Sequence, residues 1–305
     1  MPSELPRSPR AGDARPMPAA PVIPQLAGLP LAYGDLLPDD ARELNALKNF
    51  IEGMGGFVCT GYKERCLRRR IAVRMRARGA HRYGDYETLL RRDPTEYQRL
   101  LDTVTINVSK FYRNIEVWRT LEQMVLPLLF ALDDRAVRIW SAGCAGGEEP
   151  YTLAILLHEY AERNGLLSRL DRFRILATDI DRDSLAGAAR GEYGDFALTE
   201  APPGMRERWF EGPQHTILRA DVRRRVEFGV LDLMRDPLPE QQHLIVCRNV
   251  IIYFEREIQE QLFVRFHQAL VPGGHLLLGK VETLFGAAAS AFRPTANRER
   301  IFRKT

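Results

Sequence analysis

The stretch Val137-Arg-Ile-Trp-Ser-Ala-Gly-Cys-Ala-Gly-Gly-Glu-Glu-Pro-Tyr151 decides the fold. Val137 to Ala142 reads as a strand, Gly143 to Gly147 as a glycine-rich turn, and Glu149 to Glu162 as a helix. Pro150 is acceptable in the first helical turn, where its missing N–H has no helical partner to lose. A glycine-rich turn that follows a strand and opens a helix is the setting in which such turns bind ligands. The run reads G-x-x-G-G, with no Gly-Lys-Ser/Thr after it, which excludes a P-loop and weakens a nicotinamide site. Glu148 and Glu149 stand where a pyrophosphate would approach the helix N-terminus. Carboxylates there repel a pyrophosphate but suit a ligand that carries positive charge, such as S-adenosylmethionine with its sulfonium and ammonium groups.

Working outward, Phe173 to Thr178, Val226 to Val230, His243 to Cys247 and His275 to Leu278 are further strands, and Ile258 to Leu270 is helical. Strands alternating with helices predict a parallel, doubly wound α/β sheet. Asp179 closes the second strand, where an acid can bind ribose hydroxyls. Arg248 and Asn249 follow an apolar strand at the carboxyl end, the end at which open α/β sheets bind ligands, and Tyr253 lies four residues beyond Asn249. A tight turn with a satisfied surface acid, and a structural ion pair for Arg248, are the plain alternatives. Cys144 and Cys247 read as small packing residues, since no histidine-based dyad is evident.

Upstream of Val137 the pattern is helical. Asp39 and Asp40 resemble helix-capping residues, Leu44, Leu47 and Ile51 have helical spacing, and Gly53, Gly55 and Gly56 stop that helix. A second helix is predicted from Tyr62 to Arg78, with Leu67, Ile71 and Met75 as its buried stripe. Lys63, Arg70, Arg74 and Arg78 flank the stripe on one side, and Arg65, Arg69 and Arg76 populate the remainder. Tyr83 to Arg92 and Thr95 to Thr105 read as two more helices, broken at Pro94. Nine of the 19 prolines fall in the first 38 residues, which read as a disordered tail.

The chain of 305 residues is long enough for about two domains. Its 45% apolar and 28% charged composition excludes a wholly disordered, collagen-like or disulfide-stapled protein. No apolar run approaches the roughly 18 residues of a membrane span, and no secretory signal is expected. Cysteines at 59, 66, 144 and 247 lack metal-ligand spacing, so a reduced, cytoplasmic protein without metal is expected. Net charge is only +4, yet residues 61–100 carry twelve Lys/Arg against five Asp/Glu. Such a patch attracts an acidic partner.

Four strings then converge. Asn107-x-Ser-x-Phe-Tyr-Arg113, Trp140-Ser-Ala-Gly-Cys-Ala-Gly-Gly-Glu-Glu-Pro-Tyr151, Thr178-Asp-Ile-Asp181 and Cys247-Arg-Asn-Val-Ile-Ile-Tyr-Phe254 resemble the chemotaxis receptor methyltransferases, the CheR family. The likeness runs in order from about residue 41 to 303. It implies S-adenosylmethionine as methyl donor, S-adenosylhomocysteine as product, and a receptor glutamate as acceptor. After the tail over 1–38, it also implies a helical domain over 39–106, an interdomain segment over 107–135, and a Rossmann-like methyltransferase domain over 136–305. A small antiparallel β-subdomain would be inserted at about 209–228. By the resemblance, Asn107, Ser109 and Arg113 reach the cofactor from the interdomain segment, beside the turn at Gly143. Glu148 takes the methionyl or ribose end, Asp179 the ribose, Asp232 and Leu233 flank the adenine, and Arg248 and Asn249 close the site. Arg113 and Tyr253 stand nearest the transferred methyl. Lys63, Arg70, Arg74 and Arg78 would dock acidic methylation helices of chemotaxis-type receptors. A monomer is expected, with no nucleic-acid partner and no membrane insertion.

The sequence departs from the family pattern in places. Ser109 stands for the usual Thr, a swap that keeps the hydroxyl. Asp232 stands where Asn is common, so it can accept but not donate a hydrogen bond. Gly279-Lys-Val-Glu282 replaces the frequent Gly-His-Ser-Glu, and no role is assigned to it. A short turn after Trp209 points away from a receptor-peptide tether. A nucleic-acid methyltransferase, a non-catalytic binding module and a nicotinamide oxidoreductase are the competing readings, separable by methyl-acceptor assay and by the absorbance of bound cofactor.

Overall fold

The computed structural model describes residues 41–55, 57–105 and 109–305. The expected tail at 1–38 and Asn107 lie outside these residues. Four helices come first: α1 Ala41–Met54, α2 Glu64–Ala77, α3 Tyr83–Arg92 and α4 Pro94–Val104. Their apolar stripes close on one another, with Leu44, Leu47, Ile51, Leu67, Ile71, Met75, Tyr83, Tyr86 and Leu100 in one core. Asp93 starts α4: its carboxylate accepts the N–H groups of Thr95 and Glu96, and Pro94 sits where no donor is needed.

Helices α5 Ile115–Met124 and α6 Leu126–Ala131 lead into the sheet domain. Its elements follow as β1 Val137–Ala142, α7 Glu148–Arg163, β2 Phe173–Asp179, α8 Arg182–Arg190, α9 Met205–Trp209, β3 Phe210–Glu211, β4 Ile217–Leu218, α10 Ala220–Arg223 and β5 Val226–Val230. The chain ends with β6 Gln242–Cys247, α11 Arg256–Ala269, β7 Leu270–Leu278, α12 Ala288–Ala291, β8 Phe292–Ala296 and β9 Ile301–Lys304. Among the described residues, seven strands form one sheet in the order β5-β2-β1-β6-β7-β9-β8. The first five are parallel, and β9 runs antiparallel between β7 and β8. This is the doubly wound α/β sheet expected from the alternation of strands and helices. Apolar side chains pack on both faces, as a parallel sheet requires.

Two features differ from the sequence reading. The segment from 209 to 228 is not a single insert: β3 and β4 pair as a two-stranded ribbon, Phe210 with Leu218, whereas β5 lies in the main sheet parallel to β2. The β8–β9 hairpin was not expected. Its strands read Phe-Arg-Pro-Thr-Ala and Ile-Phe-Arg-Lys, too short and polar to stand out, and Pro294 is tolerated because β8 is an edge strand.

The chain runs from β1 outward through β2 to β5, then crosses back to β6 on the other side of β1. That reversal opens a crevice at the carboxyl ends of β1, β2 and β6, the place where such sheets bind ligands.

Candidate active site

The crevice is a cleft of about 950 Å³, counting its open mouth. Its floor is the turn after β1. Gly143 has φ 77°, and a Cβ there would lie 2.5 Å from Val250 Cγ2, so no side chain fits. The N–H groups of Gly143 and Cys144 both donate to Thr178 O, at 2.8 and 3.0 Å, which locks the turn against β2. Asp179, at the end of β2, accepts the Ala145 N–H at 2.8 Å on Oδ2 and the Asp181 N–H at 3.0 Å on Oδ1. Each oxygen keeps a lone pair for a further donor. Burial pushes its pKa up, against the pull of those backbone N–H groups.

The two acids that open α7 divide. Glu149 lines the cleft, accepts the Ser141 hydroxyl at 2.8 Å, and has Arg248 Nη1 at 3.8 Å. Glu148 is buried but does not line the cleft; its carboxylate lies so close to Gly146 that a Cβ there would be 3.0 Å from Oε2. Adjacent helical positions point about 100° apart, so only one of the pair faces the crevice. Burial pushes both carboxyls up to about 7, and for Glu149 the Arg248 charge and the Ser141 hydrogen bond pull the other way.

Opposite them, Arg248 is buried and donates through Nη2 to Arg113 O at 2.9 Å and to Asn114 Oδ1 at 3.1 Å. Its guanidinium lies 5.1 Å from the Trp118 ring centroid. Arg113, Ser109, Asn249 and Tyr253 also line the cleft, as do Asp232 and Leu233. Asp232 Oδ1 accepts the Met234 N–H at 2.8 Å, and Leu231, Leu233, Tyr62 and Phe254 make an apolar wall. Of the cofactor residues expected from sequence, Ser109, Arg113, Gly143, Asp179, Asp232, Leu233, Arg248 and Asn249 line the cleft; Glu148 does not, and its neighbour Glu149 does.

The four basic residues expected to face a receptor are engaged within the chain. Lys63 Nζ donates to Ile252 O at 2.8 Å. Arg70 is buried, bonds to Val104 O, and lays its guanidinium 4.4 Å from the Tyr253 ring centroid. Arg74 forms a two-pronged pair with Glu96 at 3.0 and 2.7 Å, and Arg78 reaches Asp93 and Glu96. The spacing explains this: 70, 74 and 78 each fall three residues after a member of the Leu67-Ile71-Met75 stripe, so they border the inner face. Arg65, Arg69 and Arg76 are the exposed arginines of α2.

Sequence reasoning missed several cleft residues. Tyr62 lines the cleft from outside the four strings singled out above, and Lys110 lines it from an unassigned position within the first of them. Residues 61–63 run antiparallel to 253–255, with Lys63 N–H to Tyr253 O at 2.8 Å and Glu255 N–H to Gly61 O at 2.7 Å. The helical domain is thereby stitched to the Tyr253 segment. The clue was the Tyr beside the basic helix, but a long-range backbone pairing has no local signature.

Residues 42–105 match the family model for the CheR methyltransferase all-alpha domain, and residues 107–301 match that for the CheR methyltransferase SAM binding domain. The chain belongs to the CheR methyltransferase family. It is similar to a chemotaxis protein methyltransferase of Listeria innocua, 33% identical over 255 residues that cover 83% of this chain and 94% of the relative. Chemotaxis protein methyltransferase 1 of Pseudomonas aeruginosa is 32% identical over 245 residues, 77% of this chain and 88% of that one. An uncharacterized 104.1 kDa protein of Rhodobacter capsulatus is 36% identical over 250 residues, and this chain spans 26% of it.

This CheR-family chain is an S-adenosylmethionine-dependent methyltransferase, and its cleft fits that cofactor. Glu149, Asp179 and Asp232 supply acids for a ligand with cationic centres, and Arg113 and Arg248 supply cations for a carboxylate end. Asn249 Oδ1 is a buried acceptor with no partner in the protein, placed to take a donor from the ligand. Leu231 and Leu233 offer an apolar wall for a base. Among the described residues, no group of three or more His, Cys, Asp or Glu side chains is placed to hold a metal ion, and no helix is long and apolar enough to cross a membrane.

Proposed function

We propose that the chain forms methyl esters on glutamate side chains in the cytoplasmic helices of chemoreceptor-type proteins, releasing S-adenosylhomocysteine and tuning sensory adaptation. One observation carries the reading: Arg113 and Tyr253, two hydrogen-bond donors suited to a carboxylate, line the same cleft as the acids suited to the cofactor. When bound, the cofactor supplies an electrophilic methyl group on sulfur.

The acceptor carboxylate is ionised near neutral pH, so the chain needs no general base. Its task is alignment and exclusion of water. Arg113 and Tyr253 orient the carboxylate by hydrogen bonds. These bonds must not over-stabilise the acceptor anion, whose charge is consumed as the bond forms. A tyrosine hydroxyl suits that need better than a second guanidinium, because it donates without adding charge. The relatives named as chemotaxis methyltransferases support the receptor as substrate, and a monomeric cytoplasmic enzyme is the form proposed.

The test is incubation with methyl-labelled S-adenosylmethionine and receptor-containing membranes, followed by mild base. The expected outcome is label on receptor that base releases as volatile methanol, the behaviour of a carboxyl ester. Base-stable label, or label transferred to nucleic acid in place of receptor, overturns the reading.

A further inference from the structure

Among the buried groups with no part in the chemistry above, Glu282 has the densest set of partners. It follows β7 in the Gly279-Lys-Val-Glu282 turn and is buried. Its Oε1 accepts the N–H groups of Val250, Ile251 and Ile252 at 3.0, 2.9 and 3.3 Å. Its Oε2 accepts those of Asn249 and Gly279 at 3.1 and 2.6 Å. A carboxylate inside a ring of backbone N–H groups is the protein's own version of an anion nest. Five donors demand an acceptor-only side chain, which is the ionised acid. Burial pushes its pKa up and the N–H groups pull it back.

The anchored backbone is the segment that forms one wall of the cleft. Asn249, Val250 and Tyr253 line it, and Val250 packs on the Gly143 turn. Asn249 has φ 62°, a left-handed conformation that a non-glycine residue adopts only when its surroundings hold it there. The approach is close: β6 and β7 pair through Cys247 and Leu278, and a Cβ on Gly279 would lie 2.7 Å from Glu282 Oε2 and 2.8 Å from Asn249 N. Glu282 therefore lies behind the cleft wall, touching its backbone and not its contents.

We propose that Glu282 is a positioning residue for methyl transfer: its carboxylate fixes the backbone of residues 249–252, and so holds Asn249 and Tyr253 in place against the cofactor and acceptor. The inference rests on the reading that this cleft is the site of methyl transfer. It is tested without the acceptor, by calorimetric titration of S-adenosylhomocysteine and by hydrogen–deuterium exchange, so that a wrong acceptor and a wrong role for Glu282 give different results.

Glu282→Gln keeps the shape but replaces one acceptor oxygen by an NH₂ that faces N–H donors. Its expected effect is a weakening of S-adenosylhomocysteine affinity by about tenfold or more, the cost of losing charge-assisted hydrogen bonds. Exchange should quicken over residues 249–252 while strand β1 stays protected. Glu282→Asp, one methylene shorter but still ionised, should fall between the two, and Val281→Ala, at an exposed position of the same turn, should bind as the wild type does. A general loss of folding lowers the stoichiometry of binding and leaves the Kd of the folded fraction unchanged, which separates positioning from mere stability. An S-adenosylhomocysteine Kd for Glu282→Gln within about twofold of wild type overturns the proposal, whatever the exchange rates do. If Glu282→Gln does not fold, Glu282→Asp carries the test by the same threshold.

Discussion

Glu149 concentrates the electrostatics of the cleft in one side chain. Burial pushes its pKa up to about 7, because a carboxylate taken out of water loses hydration that Arg248 and Ser141 return only in part. Near neutral pH it is therefore poised between acid and carboxylate. A ligand with cationic centres prefers the carboxylate, so binding favours the deprotonated form. The sign follows: affinity for S-adenosylmethionine is full above about pH 7 and falls as pH drops through that value, by up to about tenfold per unit for one linked proton. Titration calorimetry across this range checks it. Glu149→Gln should bind more weakly at high pH and show a flatter profile, with Glu148 contributing what dependence remains. A wild-type affinity independent of pH between about 6 and 8 would remove Glu149 from any role as charge partner. That Glu149 rather than its neighbour faces the cleft was not legible in the sequence, because two adjacent acids at a helix start are equivalent until the helix is set on the sheet.

Helix α2 shows where the legibility of an element ends. Its apolar stripe was readable, since Leu67, Ile71 and Met75 repeat at a spacing that only a helix turns into one face. The fate of its arginines was not, because it depends on Glu96, which is remote in sequence and lies on α4. Glu96 is fully buried, accepts two bonds from Arg74, one from Arg78 and one from the Tyr86 hydroxyl, and ties α2, α3 and α4 together. Burial raises its pKa, but the Arg74 and Tyr86 hydrogen bonds and the two guanidinium charges outweigh that and leave it below the usual carboxylate range. Removing one member of such a cluster strands the others. Glu96→Ala should destabilise the protein by about 3 kcal/mol, read as a lowered denaturation midpoint with an unchanged m-value. A loss under about 1 kcal/mol would mean that Arg74 and Arg78 find water at little cost. The turn at Glu282 was illegible for a related reason. Its partners are backbone N–H groups, which every residue carries, so no spacing of side chains announces them. The strings around Gly143 and Arg248 could be read because strand, turn and ligand-facing residues lie within a few positions of one another.

At the scale of the whole molecule, the basic excess of residues 61–100 changes meaning once pairs are assigned. Arg74 and Arg78 neutralise Glu96 and Asp93, Arg68 meets Glu64, Arg82 meets Glu43, and Arg91 meets Glu87. What α2 shows to solvent is Arg65, Arg69 and Arg76, and the first two lie nearest the helix start, whose leading residues are stitched to the Tyr253 segment beside the cleft. A partner held there is held beside the cleft. We propose that these two arginines, rather than Arg70, Arg74 and Arg78, steer an acidic receptor helix towards the cleft. Exposed charges act through encounter and weak docking, and salt screens them beyond about 8–10 Å at physiological ionic strength. Reversing both, Arg65→Glu with Arg69→Glu, should raise the KM for receptor membranes about fivefold or more at low salt and leave S-adenosylhomocysteine affinity unchanged, since neither side chain lines the cleft. Raising salt should weaken the wild type towards the variant and affect the variant little. Equal salt sensitivity in the two proteins would move the docking surface off α2, to the arginines that follow β4, at 219 and 223–225.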